Sequence, residues 1–93
     1  MSIKEIIKQE GTVIIDVRSP MEFSGGSVAD SINIPLQELP GRISELKQQT
    51  GNIVLCCASG GRSGIATQLL QGQGFSNVYN GGGWTDVNYW KNN

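Results

Sequence analysis

Two apolar runs constrain the fold of this chain more than any other feature. Thr12-Val13-Ile14-Ile15-Asp16-Val17 and Asn52-Ile53-Val54-Leu55-Cys56-Cys57 are β-branched or apolar with almost no polar alternation. A strand with one face in water alternates; a strand in a parallel sheet is covered on both faces and carries a continuous apolar run. Parallel neighbours need crossovers, and the sequence between the runs has helical spacing. Ile3, Ile6 and Ile7 recur at i, i+3, i+4 between Ser2 and Gly11, which predicts a short amphipathic helix over 2–9. Beyond Pro20 a helical turn is expected at 21–24, then a short strand at 31–34. Past Pro35 the spacing predicts a turn at 36–39 and, because Pro40 interrupts the pattern, a helix only from about 40–48. Ser63 is expected to open a helix that buries Ile65, Ala66, Leu69 and Leu70 and closes at Gly74. Asn77-Val78-Tyr79 makes a fourth strand, and Gly81-Gly82-Gly83 leads to a last helix from Trp84 to Trp90. The expected fold is therefore α/β, a central, mostly parallel sheet flanked by helices on both faces, with its site beyond the carboxyl ends of the strands. The 93 residues suffice for one domain, 1–93.

Composition then excludes several chemistries. The chain has no histidine, so neither a Ser-His-Asp nor a Cys-His machine exists within it. Zinc sites that use histidine are excluded with it, and two cysteines alone cannot close a four-cysteine site. No metal is called for. Seven Lys+Arg against eight Asp+Glu give a formal charge of -1. That balance lacks the basic stripe of a nucleic-acid partner and the basic cluster of a membrane anchor. No stretch reaches the roughly 18–20 apolar residues of a membrane span, and no signal-peptide core follows Met1-Ser2-Ile3-Lys4-Glu5. A cytoplasmic location is the expectation. Cys56 and Cys57 are neighbours, which makes a structural disulfide between them a poor reading and a reduced, reactive thiol a better one.

Cys57-Ala58-Ser59-Gly60-Gly61-Arg62-Ser63 lies between an apolar strand and a helix start. Two glycines let the chain curl there, so that four or five backbone N–H groups can converge on an anion. The next helix adds its unpaired amides and the positive end of its dipole. A thiolate at the strand end is such an anion. Strand alternation turns Cys56 away from Cys57, and Cys56 is expected to be a small buried hydrophobe. Arg62 is expected to serve the loop as its one charge, and Ser63 chiefly as the helix N-cap.

Taken together, these residues resemble the rhodanese homology domain, a family of small sulfurtransferases. The family pattern Cys-x-x-Gly-x-Arg-Ser is matched by Cys57, Gly60, Arg62 and Ser63. Asp16-Val17-Arg18 with Glu22-Phe23 resembles an earlier signature, Ile32-Asn33-Ile34-Pro35-Leu36 a second, and Gly82-Gly83-Trp84 a closing Gly-Gly segment. The matches come in the family's order, over about residues 12–87. The resemblance implies a rhodanese-like fold in which Cys57 is catalytic and carries sulfane sulfur as a persulfide. The donor would be a small anion such as thiosulfate or a persulfide, and the acceptor cyanide or a thiol, including a thiol on a protein. Ala58, Ser59, Gly60, Gly61, Arg62 and Ser63 would bind the substrate, with Arg62 attracting the anionic donor. No cofactor is implied. Because the attacking group is already a thiolate, no general base is needed, in agreement with the absence of histidine.

The chain departs from the family in one turn. Many members have Gly-His-Ile-x-Gly-Ala where this chain has Gly26-Ser27-Val28-Ala29-Asp30-Ser31. Cys56 also stands where an aromatic or aliphatic residue is usual, either as a spectator or as a second thiol that resolves the persulfide. Arg18 and Glu22, at i, i+4, are expected to pair with each other, and Asp16 to orient backbone amides. Direct contact of Arg18 with substrate is the auxiliary alternative.

Two other functions compete. Cys56 followed by Arg62-Ser63-Gly64 has the spacing of a tyrosine-phosphatase loop, but Leu55 stands where those loops have histidine. A non-catalytic rhodanese-like interaction or persulfide-carrier module is the other alternative. For it, Tyr79, Trp84, Tyr89 and Trp90 offer a docking face, although completing the core is the expected role of these aromatics.

Overall fold

The structure is a computed structural model that describes residues 1–93. Four strands, β1 (Val13–Asp16), β2 (Ile32–Asn33), β3 (Ile53–Cys57) and β4 (Val78–Gly83), form one sheet in the order β2-β1-β3-β4. Every pairing in it is parallel. The helices are α1 (Ile3–Lys8), α2 (Pro20–Ser24), α3 (Ile43–Leu46), α4 (Gly61–Gly72) and α5 (Trp84–Lys91), with a 3₁₀ segment at Leu36–Arg42. No helix is long and apolar enough to cross a membrane.

The continuous apolar runs have the cause expected of them. All five residues of β3 are buried, and their side chains alternate between two cores. Ile53, Leu55 and Cys57 pack with Ile15 and Val17 beneath Ala66 and Leu70 of α4, Leu39 of the 3₁₀ segment and Leu46 of α3. Val54 and Cys56 pack on the other face with Ile14, beneath Ile6 and Ile7 of α1 and Val87 of α5. Each large apolar side chain buried this way contributes about 1.5–3 kcal/mol, so a central strand covered on both faces anchors the fold.

The ends of the elements differ from expectation where tertiary contacts decide them. Ser19 caps α2 in a capping box, its hydroxyl accepting from the Glu22 N–H while the Glu22 carboxylate accepts from the Ser19 N–H. Pro20 thus begins this helix at its first position, where a missing N–H does no harm. The α-helix expected at about 40–48 is cut to Ile43–Leu46, because the 3₁₀ segment runs through Pro40 to Arg42. Helix α4 begins at Gly61, two residues before the expected start at Ser63. Its inward face is Ser63, Ala66, Thr67 and Leu70; Leu69 is only partly buried and Ile65 faces solvent at 57% exposure, against the expected burial of both.

Two turns are settled by backbone conformation. Asp30, where the family pattern has glycine, takes the left-handed conformation at φ +67°. Aspartate tolerates that region better than most residues, so the departure leaves a turn in place, closed by Ser31 N–H donating to the Val28 carbonyl at 3.1 Å. Gly81-Gly82-Gly83 belongs to β4 instead of leading out of it. Leu55 pairs with Asn80 but Cys56 pairs with Gly82, so Gly81 is an extra residue that bulges the strand. A Cβ on Gly81 would lie 2.8 Å from both Val54 Cγ1 and Val87 Cγ2. Gly81→Ala is therefore expected to overpack the contact of β3 with α5 and lower stability by about 1–3 kcal/mol, measured by urea denaturation.

Candidate functional site

The end of β3 delivers Cys57 to the point where the chain leaves the sheet and turns into α4. Gly60 makes the turn. It caps α4 with φ +103°, a conformation that an L-residue adopts only with strain. A Cβ there would also lie 3.4 Å from the Cα of Gly82, across the bulged end of β4. Gly61, Arg62 and Ser63 consequently form the first turn of α4, not the tail of a loop. The helix start lies nearer the thiol than expected, and with it the unpaired amides. Ser63 is therefore not the N-cap. It is buried in the first turn with its hydroxyl turned inward.

Cys57 itself is only 1% exposed, yet its sulfur faces polar groups. The Gly60 N–H donates to Sγ at 3.0 Å, and Ser63 Oγ lies 3.4 Å away. Burial by itself would push the thiol up. The Ser63 hydroxyl and the amides of Ser63, Ser59 and Gly60 outweigh it and bring the pKa down to about 7. Of the four or five amides expected to converge, only that of Gly60 makes a hydrogen bond to the sulfur, and the Ser63 hydroxyl joins it. Ala58 and Ser59 are exposed and form the outer lip.

Asn80 completes the group, and the sequence offers no motif that singles it out. Its Oδ1 accepts from Ser63 Oγ at 2.6 Å and from the Gly82 N–H at 3.0 Å, and its Nδ2 donates to the Gly60 carbonyl at 3.3 Å. Ser63 has one hydroxyl hydrogen and two acceptors for it. With Cys57 as a thiol, S–H donates to Ser63 Oγ while Ser63 donates to Asn80. With Cys57 as a thiolate, the Ser63 hydrogen turns to sulfur, and Asn80 keeps the Gly82 N–H.

Cys56 has the opposite environment. It is fully buried in the other core, and burial, with the Asp16 carboxylate adding to it, pushes its thiol up to about 12. This enclosed environment, which disfavours ionisation, argues against Cys56 as the nucleophile of a phosphatase loop.

The charged residues pair differently from expectation. Arg18 does not pair with Glu22. It turns inward to Asp16, Nη2 to Oδ2 at 2.7 Å with Nε 3.0 Å from both carboxylate oxygens, and also donates to the Gly26 carbonyl at 2.7 Å. Its guanidinium lies over the Trp84 ring, 4.9 Å from the centroid. Asp16 does orient a backbone amide, that of Arg18 at 3.0 Å. Asn33 adds two 3.0 Å bonds, to the Asp16 and Arg18 carbonyls. These bonds brace the carboxyl end of β1. Glu22 pairs instead with Arg62, 40 residues away, through Nη1–Oε1 at 2.7 Å and Nη2–Oε2 at 2.9 Å. Of the aromatics, Tyr79, Trp84 and Trp90 pack against the α1–α5 core, whereas Tyr89 is exposed. The three surface clefts are lined by other residues, the largest, of about 280 Å³, lying near Lys47 and Phe75 at the opposite end of the sheet.

The hydroxyl of Ser63 gives the site a testable pH signature. In the wild type, the rate of Cys57 alkylation by iodoacetamide is expected to rise with pH through a midpoint near 7. Ser63→Ala removes a donor that favours the thiolate, so the midpoint moves upward, by about one pH unit for a hydrogen bond to a charged group. The pH dependence of labelling, located on Cys57 by peptide mass, measures it.

Known proteins resemble this chain in sequence and in fold. The profile of the rhodanese-like domain matches residues 2–89. A sulfurtransferase of Allochromatium vinosum is 34% identical over 71 residues, covering 76% of this chain and 65% of that protein. Thiosulfate sulfurtransferase PspE of Escherichia coli is 35% identical over 74 residues, covering 78% and 71%. Among solved structures, a rhodanese with anions from E. coli superposes with a TM-score of 0.74 at 34% identity, covering 81% of this chain and 89% of that one. Several relatives are longer, and the chain spans between 42% and 65% of their length. A match over residues 2–89 together with the shared parallel fold establishes that the chain belongs to the rhodanese-like domain family.

Proposed function

We propose that this domain is a sulfurtransferase in which Cys57 takes sulfane sulfur from a small anionic donor, such as thiosulfate or a persulfide. Cys57 carries the sulfur as a persulfide and yields it to a thiophilic acceptor, cyanide or a thiol, including one on a partner protein. The observation that carries this reading is the Cys57 sulfur at the end of β3, with the Gly60 N–H 3.0 Å and the Ser63 hydroxyl 3.4 Å from it, an environment that lowers its pKa to about 7 in a chain without histidine. Transfer of sulfane sulfur needs an ionised thiol and a place to stabilise the terminal sulfur of the persulfide. It needs no proton abstraction from carbon or oxygen. The residues 58–63 around the thiol suit the second requirement, because the same amides that favour the thiolate favour the persulfide anion. Arg62, in the first turn of α4, lies beside this loop with its guanidinium paired to Glu22. The sulfurtransferase names of the relatives point the same way. Two free thiols, both buried, are consistent with a reducing compartment such as the cytoplasm.

Treatment with thiosulfate should add one sulfur atom to the protein by intact mass, located on Cys57 by peptide mapping. Cys57→Ser abolishes both the added sulfur and turnover with cyanide, whereas Cys56→Ala retains both. Equal loss in the two variants would exclude a single nucleophile at Cys57. A persulfide on Cys57 that forms but is never turned over to cyanide or thiols would favour the carrier module over the enzyme.

A further inference from the structure

Arg62 is not a free cation. Glu22 holds it with two parallel bonds, and Glu22 is itself held from behind, its Oε1 accepting from the Ser19 N–H at 3.1 Å and the Ser19 hydroxyl at 3.0 Å. The bidentate geometry makes good use of a planar guanidinium and fixes the carboxylate in place. The Arg62 bonds and those to Ser19 keep Glu22 ionised, well below the usual carboxylate range at about 2. Arg18, the other arginine of the neighbouring segments, is committed to Asp16. The charge at the site is therefore one arginine, one glutamate and, when ionised, the Cys57 sulfur, a net of -1 from +1, -1 and -1.

We propose that Glu22 sets the donor class of this site: by holding Arg62, it disfavours dianionic donors such as thiosulfate and leaves alkyl persulfides, neutral or singly charged, as the preferred source of sulfur. This inference rests on the sulfur-transfer reading above and refines it. A dianion must either take Arg62 from Glu22 or accept the carboxylate as a near neighbour, and its repulsion from that carboxylate is twice that of a monoanion. An alkyl persulfide needs neither. In that reaction the Cys57 thiolate attacks the outer sulfur of R–S–SH. The Cys57 S–S bond forms, the R–S–S bond breaks, the proton stays on the transferred sulfur and R–S⁻ leaves. With thiosulfate the same attack releases sulfite, charge being conserved at -3 on each side. Neither route requires an outside oxidant or reductant.

Glu22→Gln tests the inference, because the amide oxygen can still accept from the Ser19 N–H while the charge that neutralises Arg62 is gone. The ratio of kcat/KM for thiosulfate to that for 2-hydroxyethyl persulfide, which has no charged group besides the persulfide itself, is expected to rise about tenfold, mainly through a lower thiosulfate KM. Sulfate, an unreactive dianion, supplies a readout that does not depend on turnover. The sulfate concentration that half-protects Cys57 from iodoacetamide should fall by a similar factor. Glu22→Asp keeps the charge but shortens its reach, so it gives intermediate values and replaces Glu22→Gln if that variant proves too unstable to assay. An unchanged donor ratio with unchanged sulfate protection overturns the role of Glu22 and leaves sulfur transfer standing. Absence of any added sulfur on Cys57 of the wild type, from either donor, overturns the transfer reading instead, while sulfate protection still decides whether Glu22 governs anion access.

Discussion

The chemistry of this protein depends on the alternation of side chains along a strand buried on both faces. Because β3 is covered by α4 on one side and by α1 and α5 on the other, consecutive residues enter two separate environments. Cys56 and Cys57 are covalent neighbours, yet one has its thiol pushed up to about 12 and the other has it brought down to about 7. The pleat sends chemically identical groups to opposite faces, and the polar groups at the end of β3 then favour ionisation of only one of them. A register slip of one residue would exchange them, and the two hydrophobic cores on either side of the strand oppose such a slip.

Activation of the thiol without imidazole follows from where the strand ends. Burial opposes ionisation, so the polar groups around Cys57 must outweigh it. Amides can do so because they arrive already oriented: Gly60 turns the chain back, and the start of α4 presents its unpaired N–H groups toward the sulfur. Preorganised dipoles require little rearrangement when charge appears. The bulge at Gly81 belongs to the same construction. It shifts β4 by one residue, which sets Gly82 and Gly83 beside Cys56 and Cys57 while Asn80 remains on the α4 side to hold Ser63 and Gly60.

The charged network divides into two parts. Asp16, Arg18, Asn33 and Trp84 tie the ends of β1 and β2 to the start of α5, with Asp16 and Arg18 buried, and no buried side-chain nitrogen or oxygen lacks a partner. A buried ion pair is tolerated when its hydrogen bonds are complete in this way, and its value lies in holding one geometry more than in net stability. Glu22 and Arg62 form the second part, half-exposed and attached to the site. Local spacing suggests an Arg18–Glu22 pair, but α2 is a single short helix whose capping box turns Glu22 toward Ser19 and α4. The box itself, Ser19 followed by Glu22, is visible as a local pattern. Its consequence for Arg62 is not, because the two residues are 40 apart in the chain.

Sequence alone determined that the chain forms a parallel sheet covered on both faces and that a cysteine ends one of its central strands. Continuous apolar runs at Val13–Asp16 and Ile53–Cys57 require cover on both faces, hence parallel strands with helices on either side, and the glycines after Cys57 allow the turn that follows. These are local properties, set by residue volume, branching and the freedom of glycine, and they are written in consecutive residues. Only the tertiary structure decided where α4 begins, that Ser63 points inward, that Asn80 shares its hydroxyl hydrogen, and that Glu22 holds Arg62. Each of those depends on partners brought together from 17 to 40 residues away, across a bulge and between elements whose packing no short window of sequence encodes.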